Sequence, residues 1–265
     1  MTRPARLGAV DYLNARPLVF GLELQNRLFS LRFDVPSKCA ALLHEGSIDV
    51  GMIPSIEYLR GPDPYRIVPG LGIVSEGPVA SVALFTKKPV EQVTSIAADT
   101  SSRTSNALLR ILCYERFGID PAFEAMPPDP TAMLTQCDAA LIIGDPALFL
   151  DHDARGLLKV DLGGHWTAMT SLPFVWAFWA GRPAALSRDQ VAALAKARDG
   201  GVAHSDELAA AYCGPDRAAL GRAYLRENIK YQLGDREEAA LRRYYELAEK
   251  HGVVDRAIAP AFYQA

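Results

Sequence analysis

Short apolar runs alternate with amphipathic segments over roughly the first 180 residues of this chain. This alternation predicts an α/β protein in which helices pack against sheet. The predicted strands are 7–13, 31–35, 48–53, 67–74, 79–86, 95–98, 123–126, 139–143, 157–161 and 174–180. The predicted helices between them are 18–29, 37–44, 102–117 and 131–137.

Beyond residue 187 the strand pattern stops, and the remaining sequence predicts a helical C-terminal tail. Its predicted helices are 189–198, 205–212, 217–231 and 236–251. The last is the best defined, because Asp235 can cap it, Glu238 follows three residues later as in a capping box, and Gly252 ends it. One apolar stripe along this helix is formed by Leu241, Tyr244, Tyr245 and Ala248.

Two predicted strands, 79–86 and 173–180, stand out for their length and apolar density. If they are the two crossings between lobes, the chain leaves lobe one near residue 86 and returns to it near residue 175. Lobe one would then comprise residues 1–86 and 175–265, and lobe two residues 87–174. A ligand would lie in the cleft between the lobes.

The composition is that of an ordinary globular protein, with 49% hydrophobic and 22% charged residues among 265. A net charge of −3 creates no general basic field, so we expect no nucleic-acid partner. The chain lacks the ~18 uninterrupted apolar residues of a membrane span. Because Asp11, Asn14 and Arg16 interrupt the first apolar run, no signal peptide is expected either. We therefore expect a cytoplasmic protein; its oligomeric state cannot be inferred from these features.

The residues that usually hold metals, disulfides or dinucleotides are not arranged for those roles. The four cysteines are widely separated without a Cys-x-x-Cys pair, and the five histidines show no ligand spacing. Gly70-Leu71-Gly72 begins like a dinucleotide fingerprint, but Ser75 stands where the third glycine belongs. We therefore expect neither a metal nor a cofactor.

The most informative polar segment is Asp11-Tyr12-Leu13-Asn14-Ala15-Arg16-Pro17-Leu18, directly after the apolar run 7–10. It places hydrogen-bonding groups at the carboxyl edge of a sheet, where open α/β sheets bind ligands. Asn14 can donate to a ligand oxygen and accept from a hydroxyl, or it can simply cap the following helix. Tyr12 can line the same cleft or pack against a lobe, and Arg16 can pair with a carboxylate or stay solvated.

A second polar cluster, Ser101-Ser102-Arg103-Thr104-Ser105, follows a predicted strand and opens a helix. Free backbone N–H groups, the helix dipole and several hydroxyls converge there, as in anion sites without a conspicuous lysine. Capping alone needs one hydroxyl, and five consecutive polar residues exceed that need. We therefore favour carboxylate binding by this segment, called the anion loop below.

Three further polar residues lie where strands end or cross. Ser55 follows Pro54 at a strand-to-helix junction and resembles a first-lobe counterpart of the anion loop. Ser81 lies in the first predicted crossing strand, where it can face the cleft or satisfy a local bond. Asp145 follows the strand 139–143 and either orients a ligand hydroxyl or caps the next turn.

Three segments together resemble a menaquinone-biosynthesis family whose founding activity is chorismate dehydratase of the futalosine route. They are the stretch 10–18, the stretch 49–58 (DVGMIPSIEY) and the stretch 99–105 (DTSSRTS), which occur in the family's order. The resemblance extends over essentially the whole chain. The sister enzyme, which makes 1,4-dihydroxy-6-naphthoate, is expected to carry a Cys-Pro-Asn type of motif in its first loop, and this chain does not.

This resemblance implies a two-lobed fold like that of type II periplasmic binding proteins, with the ligand cleft between the lobes. It also implies a lyase that removes water from chorismate to give 3-[(1-carboxyvinyl)oxy]benzoate. Asn14 is then the candidate catalytic residue. The candidate residues that bind the dicarboxylate substrate are Tyr12, Arg16, Ser55, Ser81, Ser102, Arg103, Thr104, Ser105 and Asp145.

Other functions are compatible with the same fold. A non-catalytic solute-binding protein for a small anionic metabolite would have the same two lobes. The sister synthase is a further alternative. An effector domain of a transcription regulator would ordinarily require a helix-turn-helix, whereas this chain begins with sheet.

Overall fold

Eleven strands form two separate sheets within residues 3–264, the part of the chain that this computed structural model describes. In chain order the strands are β1 (Ala5–Val10), β2 (Phe29–Asp34), β3 (Val50–Pro54), β4 (Arg66–Ile67), β5 (Ile73–Ser75), β6 (Val82–Thr86), β7 (Ser95–Asp99), β8 (Ala122–Met126), β9 (Ala139–Ile143), β10 (Leu158–Asp161) and β11 (Phe174–Gly181). The first sheet has the order β2-β1-β3-β11-β4, with β5 also paired to β11. The second has the order β10-β6-β9-β7-β8.

Nine α-helices surround these sheets within the same residues. They are α1 (Pro36–His44), α2 (Thr104–Leu112), α3 (Pro130–Gln136), α4 (Gly144–Leu148), α5 (Leu162–Thr170), α6 (Arg188–Ala203), α7 (Ser205–Cys213), α8 (Ala218–Ala223) and α9 (Asp235–Lys250). Both α2 and α8 continue into a π-helical turn, Cys113–Phe117 and Tyr224–Asn228 respectively. Helices α4 and α5 are additions to the predicted elements.

The parallel pairs β1·β2, β1·β3, β7·β8 and β7·β9 form the α/β part of each sheet, as the alternating pattern predicted. β6 and β11 pair antiparallel with their neighbours. Strands β3, β6 and β9 are buried along their whole length, which is typical of strands covered on both faces. The apolar runs of the sequence therefore correspond to the centres of the sheets.

The chain changes sheets twice. It passes from the first sheet to the second between β5 and β6, through residues 76–81, and returns between β10 and β11, through residues 162–173 that include α5. The two long apolar strands that we expected to cross thus each belong to one sheet, β6 to the second and β11 to the first. The first changeover lies before Val82 rather than near residue 86. The lobe boundaries given above stay a prediction.

The predicted helix 18–29 is wrong, and its replacement matters for the site. The segment instead forms two 3₁₀ helices, Leu13–Val19 and Leu22–Leu24. Pro17 lies inside the first and has no N–H to donate, and Gly21 between them has a φ of 69°, which breaks a right-handed helix. Strand β1 accordingly ends at Val10, so that Asn14 lies in a tight turn of helix.

The start of α9 also differs from its predicted cap. Gly234 occupies the N-cap position, and its N–H donates to the Glu237 carboxylate at 2.9 Å, so Asp235 and Glu238 do not form the capping box. The apolar stripe is confirmed, because Leu241, Tyr244, Tyr245 and Ala248 are all buried. Tyr244 packs edge-on against Trp166 and Phe174 at centroid distances of 6.1 and 4.9 Å. The tail thereby packs against both the second changeover and the first sheet.

Helix α6 packs directly against the 3₁₀ segment that carries Asn14. A Cβ at Gly201 would lie 2.2 Å from the carbonyl oxygen of Pro17 and 2.5 Å from its Cα, so only glycine permits this approach. The contact partner is backbone, which cannot rotate away. The position of the Asn14 segment therefore depends on Gly201.

We predict that Gly201→Ala lowers the free energy of unfolding by about 1–3 kcal/mol, the usual cost of overpacking. Gly200→Ala is the matched control, because its new Cβ would meet only the ring of half-buried Phe20, at 2.9 Å, and that ring can shift. Both changes raise helix propensity equally. Denaturant unfolding of the two variants checks this; equal stabilities would contradict it.

Candidate active site

A narrow cleft of about 60 Å³ lies between the two sheets. From the first sheet and its connections, β1, the segment after it, the start of α1, the end of β3, β5 and β11 contribute to it. The first changeover, the start of β6, the anion loop, the end of β9 and the start of α4 form the rest. The lining residues are Val10, Tyr12, Asn14, Pro36, Pro54, Ile73, Val79, Ser81, Val82, Ser102, Arg103, Thr104, Ser105, Ile143, Gly144, Trp176 and Ala177. Seven candidate residues from three distant parts of the sequence thus meet along one apolar surface, namely Tyr12, Asn14, Ser81, Ser102, Arg103, Thr104 and Ser105.

A larger groove of about 640 Å³ lies elsewhere, among α6, α7 and the segment 225–232. Its rim carries charges of both signs, and Arg226 and Asp206 pair with each other there. It contains none of the polar groups that the sequence motifs indicated. We therefore place the candidate site in the narrow cleft, where buried hydroxyls and an amide face apolar walls.

Asn14 is not a helix cap. Tyr12 occupies the N-cap position of the 3₁₀ segment, and no side chain caps that segment. The Oδ1 atom of Asn14 is buried without a hydrogen-bond partner among the described residues, although the residue lines the cleft. An unsatisfied buried acceptor costs about 1–3 kcal/mol, so its natural complement is a donor supplied from the cleft. The capping alternative is therefore wrong, whereas a catalytic role stays a prediction.

Ser81 and Tyr224 form a pair beside Asn14. The Ser81 Oγ and the Tyr224 hydroxyl are 2.7 Å apart, and both residues are buried. Burial raises the pKa of Tyr224, while its hydrogen bonds with Ser81 and Asn14 act in the opposite direction. The tyrosine therefore remains a neutral hydroxyl that is hydrogen-bonded to Ser81. Sequence reasoning missed Tyr224, because no local pattern distinguishes it from other apolar positions of the tail.

The anion loop is shaped by Asp99, the last residue of β7. One carboxylate oxygen of Asp99 accepts from the N–H and the hydroxyl of Ser101, at 2.7 and 2.6 Å. The Asn106 side chain donates to the carbonyl oxygens of Asp99 and Ser102, at 2.8 and 2.6 Å. Ser101 is therefore committed to the loop itself. Ser102 and Ser105 are buried and line the cleft next to the first turn of α2.

The first turn of α2 supplies the positive potential of this loop. Arg103 occupies the N-cap position, so the N–H groups of Thr104, Ser105 and Asn106 precede the first intrahelical bond, Ala107 N–H to Arg103 O. Among the described residues that line the cleft, exposed Arg103 is the one that carries a charge. A helix N-terminus and one guanidinium together favour an anion at this end of the cleft.

Thr104 and Ser55 join the anion loop to the first sheet. The Ile56 N–H donates to the Thr104 hydroxyl at 3.2 Å, and the Ser55 hydroxyl lies 3.4 Å from it. Ser55 donates to the Val175 carbonyl at 2.7 Å and does not line the cleft, so its hydroxyl is used within the protein. Thr104 faces the cleft but already accepts a backbone bond. We conclude that Ser102 and Ser105 are the freer hydroxyls of the loop.

Asp145 and Arg16 lie outside the cleft lining. The Asp145 carboxylate accepts from the Leu13 N–H at 3.2 Å and from the Tyr212 hydroxyl, so it fastens α4 to the segment that carries Asn14. Burial raises the pKa of Asp145, and these two bonds oppose that shift. Arg16 pairs with Asp11 and stacks over Tyr212, with its guanidinium carbon 5.0 Å from the ring centroid.

Tyr12 lies against α4 from the other side of the same segment. A Cβ at Gly144 would meet its ring at 2.9 Å, and Gly144 itself has a φ of 65°, so only glycine suits this position. Burial raises the pKa of the Tyr12 hydroxyl, nearby Asp99 raises it further, and a hydrogen bond with Ser101 lowers it. Tyr12 thus both lines the cleft and packs against the second sheet, which combines the two predicted roles.

Four tyrosines of the tail each hold one candidate segment. Tyr224 contacts Ser81 as described, Tyr231 donates to the Asn14 carbonyl at 2.9 Å, Tyr244 to the Thr104 carbonyl at 3.0 Å, and Tyr245 to the Ser55 carbonyl at 2.8 Å. Burial raises the pKa of all four. The sequence pattern marked Tyr244 and Tyr245 as core residues, but it could not show what their hydroxyls bind.

Residues 3–264 contain neither a metal-binding cluster nor a membrane-spanning helix. No group of three or more His, Cys, Asp or Glu residues there is arranged to hold a metal ion. No helix in that range has the length and apolar character needed to cross a membrane.

Comparison with known proteins identifies the family. The sequence pattern described as menaquinone biosynthesis matches residues 5–250. The chain belongs to the menaquinone biosynthesis family. A chorismate dehydratase of Thermus thermophilus is 30% identical over 284 aligned positions, which cover 98% of this chain and 99% of that protein. The family suggested by the three polar segments is thereby confirmed.

Solved structures show which fold this member of the menaquinone biosynthesis family adopts. A protein of Archaeoglobus fulgidus aligns with a TM-score of 0.78 at 19% identity, covering 96% of this chain and 99% of that one. A Candida albicans protein described as having the generic periplasmic binding protein fold aligns with a TM-score of 0.69 at 10% identity, covering 100% and 98%. The predicted periplasmic-binding-protein-like fold is thus confirmed.

We predict that Asp145→Ala and Tyr212→Phe each lower the free energy of unfolding, by about 1–2 kcal/mol, because each removes one partner of a partly buried charged bond. The double variant should lose clearly less than the sum of the two, since both changes break the same bond. Denaturant unfolding of the four proteins measures this coupling. Exposed Asp216→Ala is the control and should be nearly silent. Additive losses for Asp145 and Tyr212 would contradict a stabilising bond between these two side chains.

Proposed function

We propose that this protein is a chorismate dehydratase, a hydro-lyase that converts chorismate to 3-[(1-carboxyvinyl)oxy]benzoate and water. The observation that carries the proposal is the buried, unpartnered Asn14 Oδ1 in the same cleft as the N-terminus of α2 with Ser102 and Ser105. The near-complete alignment with the Thermus thermophilus enzyme supports the choice of substrate. Four free cysteines in the described residues agree with action in a reducing cytoplasm.

The anion loop receives the ring carboxylate of chorismate. Ser102, Ser105 and the first N–H groups of α2 donate to this carboxylate, and Arg103 adds positive charge at the mouth of the cleft. Loss of the C3 proton places negative charge in a system conjugated with that carboxylate. Donors already directed at it therefore stabilise the charge as it develops, without reorganisation during the reaction.

The proton at C3 passes to the second carboxylate of the substrate, that of the enolpyruvyl arm, when the arm lies over the ring. The C4 hydroxyl then leaves and takes up that proton from the enolpyruvyl carboxyl group, so that water is released, the carboxylate is regenerated and the ring becomes aromatic. Before reaction the C4 hydroxyl donates to the unpartnered Asn14 Oδ1, which orients it, and the amide N–H of Asn14 donates to the hydroxyl oxygen as it departs. Ser81, whose Oγ is hydrogen-bonded to the Tyr224 hydroxyl behind it, supplies the remaining hydroxyl at this end of the cleft.

The direct experiment is to incubate the purified protein with chorismate and to follow ultraviolet absorbance and product mass. The proposal requires the spectrum of an aromatic product and a mass lower than that of chorismate by one water. Unchanged chorismate under conditions where the protein is folded would refute the proposal.

We predict that Asn14→Asp reduces turnover of chorismate by at least about a hundredfold, since it removes the amide donor and places a negative charge beside a dianion. The melting temperature should stay near that of the wild type, because Asn14 is not a cap and the variant side chain is nearly isosteric. Asn26→Asp makes the same charge change at an exposed position of the first lobe. It should leave turnover intact, and near-wild-type turnover of Asn14→Asp would remove Asn14 from the mechanism.

We predict opposite effects for two adjacent hydroxyls of the anion loop. Ser105→Ala should lower kcat/KM about ten- to a hundredfold with little change in stability, because it removes one charge-assisted bond to the substrate. Thr104→Ala should chiefly lower the free energy of unfolding, by about 1–3 kcal/mol, because the Ile56 N–H loses its acceptor. Steady-state kinetics and denaturant unfolding of both variants decide the assignment; the reverse pattern would contradict it.

A further inference from the structure

The first changeover between the sheets contains an unusual backbone conformation beside Ser81. Ala80 has a φ of 64°, in the left-handed region that residues other than glycine rarely adopt. The Ser81 N–H donates to the Val79 carbonyl at 2.8 Å, across Ala80 alone, as in a γ-turn with positive φ. Such a conformation is strained and persists only where surrounding contacts impose it.

The Asp161 carboxylate supplies those contacts. One of its oxygens accepts from the Ala80 N–H at 2.7 Å, and the other accepts from the Val79 N–H at 3.0 Å. The Lys159 ammonium donates to the Ala80 carbonyl at 2.7 Å. Two side chains of β10 thus bind both ends of the strained residue.

Asp161 also begins the second changeover. It is the N-cap residue of α5, and the oxygen that binds Val79 also accepts from the Gly164 N–H at 3.0 Å. The first turn of α5 packs tightly on the first changeover, since a Cβ at Gly163 would lie 2.8 Å from the Gly77 carbonyl oxygen. One carboxylate therefore ties together the two connections through which the lobes are joined.

The conformation of Ala80 decides where the Ser81 hydroxyl points. The Ser81 carbonyl accepts from the Gly144 N–H at 2.8 Å, so this residue is held on both sides and its Oγ meets Tyr224 next to Asn14. If Ala80 relaxed to an ordinary φ, the Ser81 side chain would rotate away from that position. We propose that Asp161 is a positioning residue that holds Ala80 in the left-handed conformation and thereby directs the Ser81 hydroxyl into the cleft.

This inference rests on the proposed function for its kinetic test. Asp161→Asn is the informative variant, because the amide oxygen can still accept from Val79 and Gly164, whereas the amide N–H₂ faces the Ala80 N–H and cannot accept. Asn caps helices as well as Asp does, so the cap of α5 is retained. The matched control is Asp129→Asn, since Asp129 caps α3 through the Thr131 and Ala132 N–H groups and is remote from Ala80.

We expect Asp161→Asn to lower kcat for chorismate about ten- to a hundredfold, the cost of misplacing a site group by about 1 Å, with KM changed much less. Asp129→Asn should retain wild-type kcat. Adding Ala80→Gly to Asp161→Asn should recover most of the lost kcat, because glycine adopts positive φ without strain and keeps the turn. A purely structural role for Asp161 would show no such rescue.

The inference is overturned if Asp161→Asn keeps kcat within threefold of the wild type, or if Ala80→Gly restores none of the loss. Amide hydrogen exchange is a second measurement that does not depend on the reaction: exchange at Ala80 should be faster in Asp161→Asn and unchanged in Asp129→Asn. If the wild type fails to dehydrate chorismate, the proposed function fails and the exchange result alone decides on Asp161. Unchanged exchange at Ala80 would refute the role of Asp161 in holding Ala80, whether or not the protein dehydrates chorismate.

Discussion

The architecture of the cleft depends on buried hydrogen bonds from the hydroxyls of tail tyrosines to the segments that line or adjoin it. Each of Tyr224, Tyr231, Tyr244 and Tyr245 contacts a different one of these segments, and each is almost fully buried. A polar group in such an interior must be paired, because an unpaired one would cost the full penalty of desolvation. The helical tail therefore does more than cover the first sheet. It determines the relative positions of groups that are far apart in the sequence.

One group that lines the cleft, the amide oxygen of Asn14, differs from these paired hydroxyls. Thr104 and Ser55 have partners within the protein, whereas the Asn14 Oδ1 has none among the described residues. Strain is concentrated at the same place, since Ala80 with its positive φ directly precedes Ser81. Unsatisfied polar groups and strained backbone persist only where many surrounding contacts hold them in place, and they are most common at functional sites. In this protein Asp161, Asp145 and the tyrosines supply that surrounding structure.

Much of the fold was predictable because it depends on local patterns. Strand 139–143 was predicted to the residue from its continuous apolar run, and the apolar stripe of α9 was correct because it follows the 3.6-residue period of a helix. The helix 18–29 was wrong because its apolar residues suit a helix, whereas Pro17 and Gly21 do not permit one. The predicted crossings were displaced because a long apolar strand is equally compatible with the centre of one sheet and with a connection between two.

The sequence by itself determined the chemical inventory of the site: the amide of Asn14, the hydroxyls of the anion loop and the family to which these motifs belong. These follow from residue types at fixed short spacings, which the chain carries in any conformation. Only the tertiary structure decided which of them are free to meet a ligand. Among the described residues the Ser105 hydroxyl is free while the Thr104 hydroxyl is bound within the protein, and Asp145 and Arg16 lie outside the cleft lining. The structure also shows the roles of Tyr224 and Asp161, whose partners lie 143 and about 80 residues away in the sequence. Such pairings depend on how two sheets and a tail pack together, and no local spacing in the chain encodes that geometry.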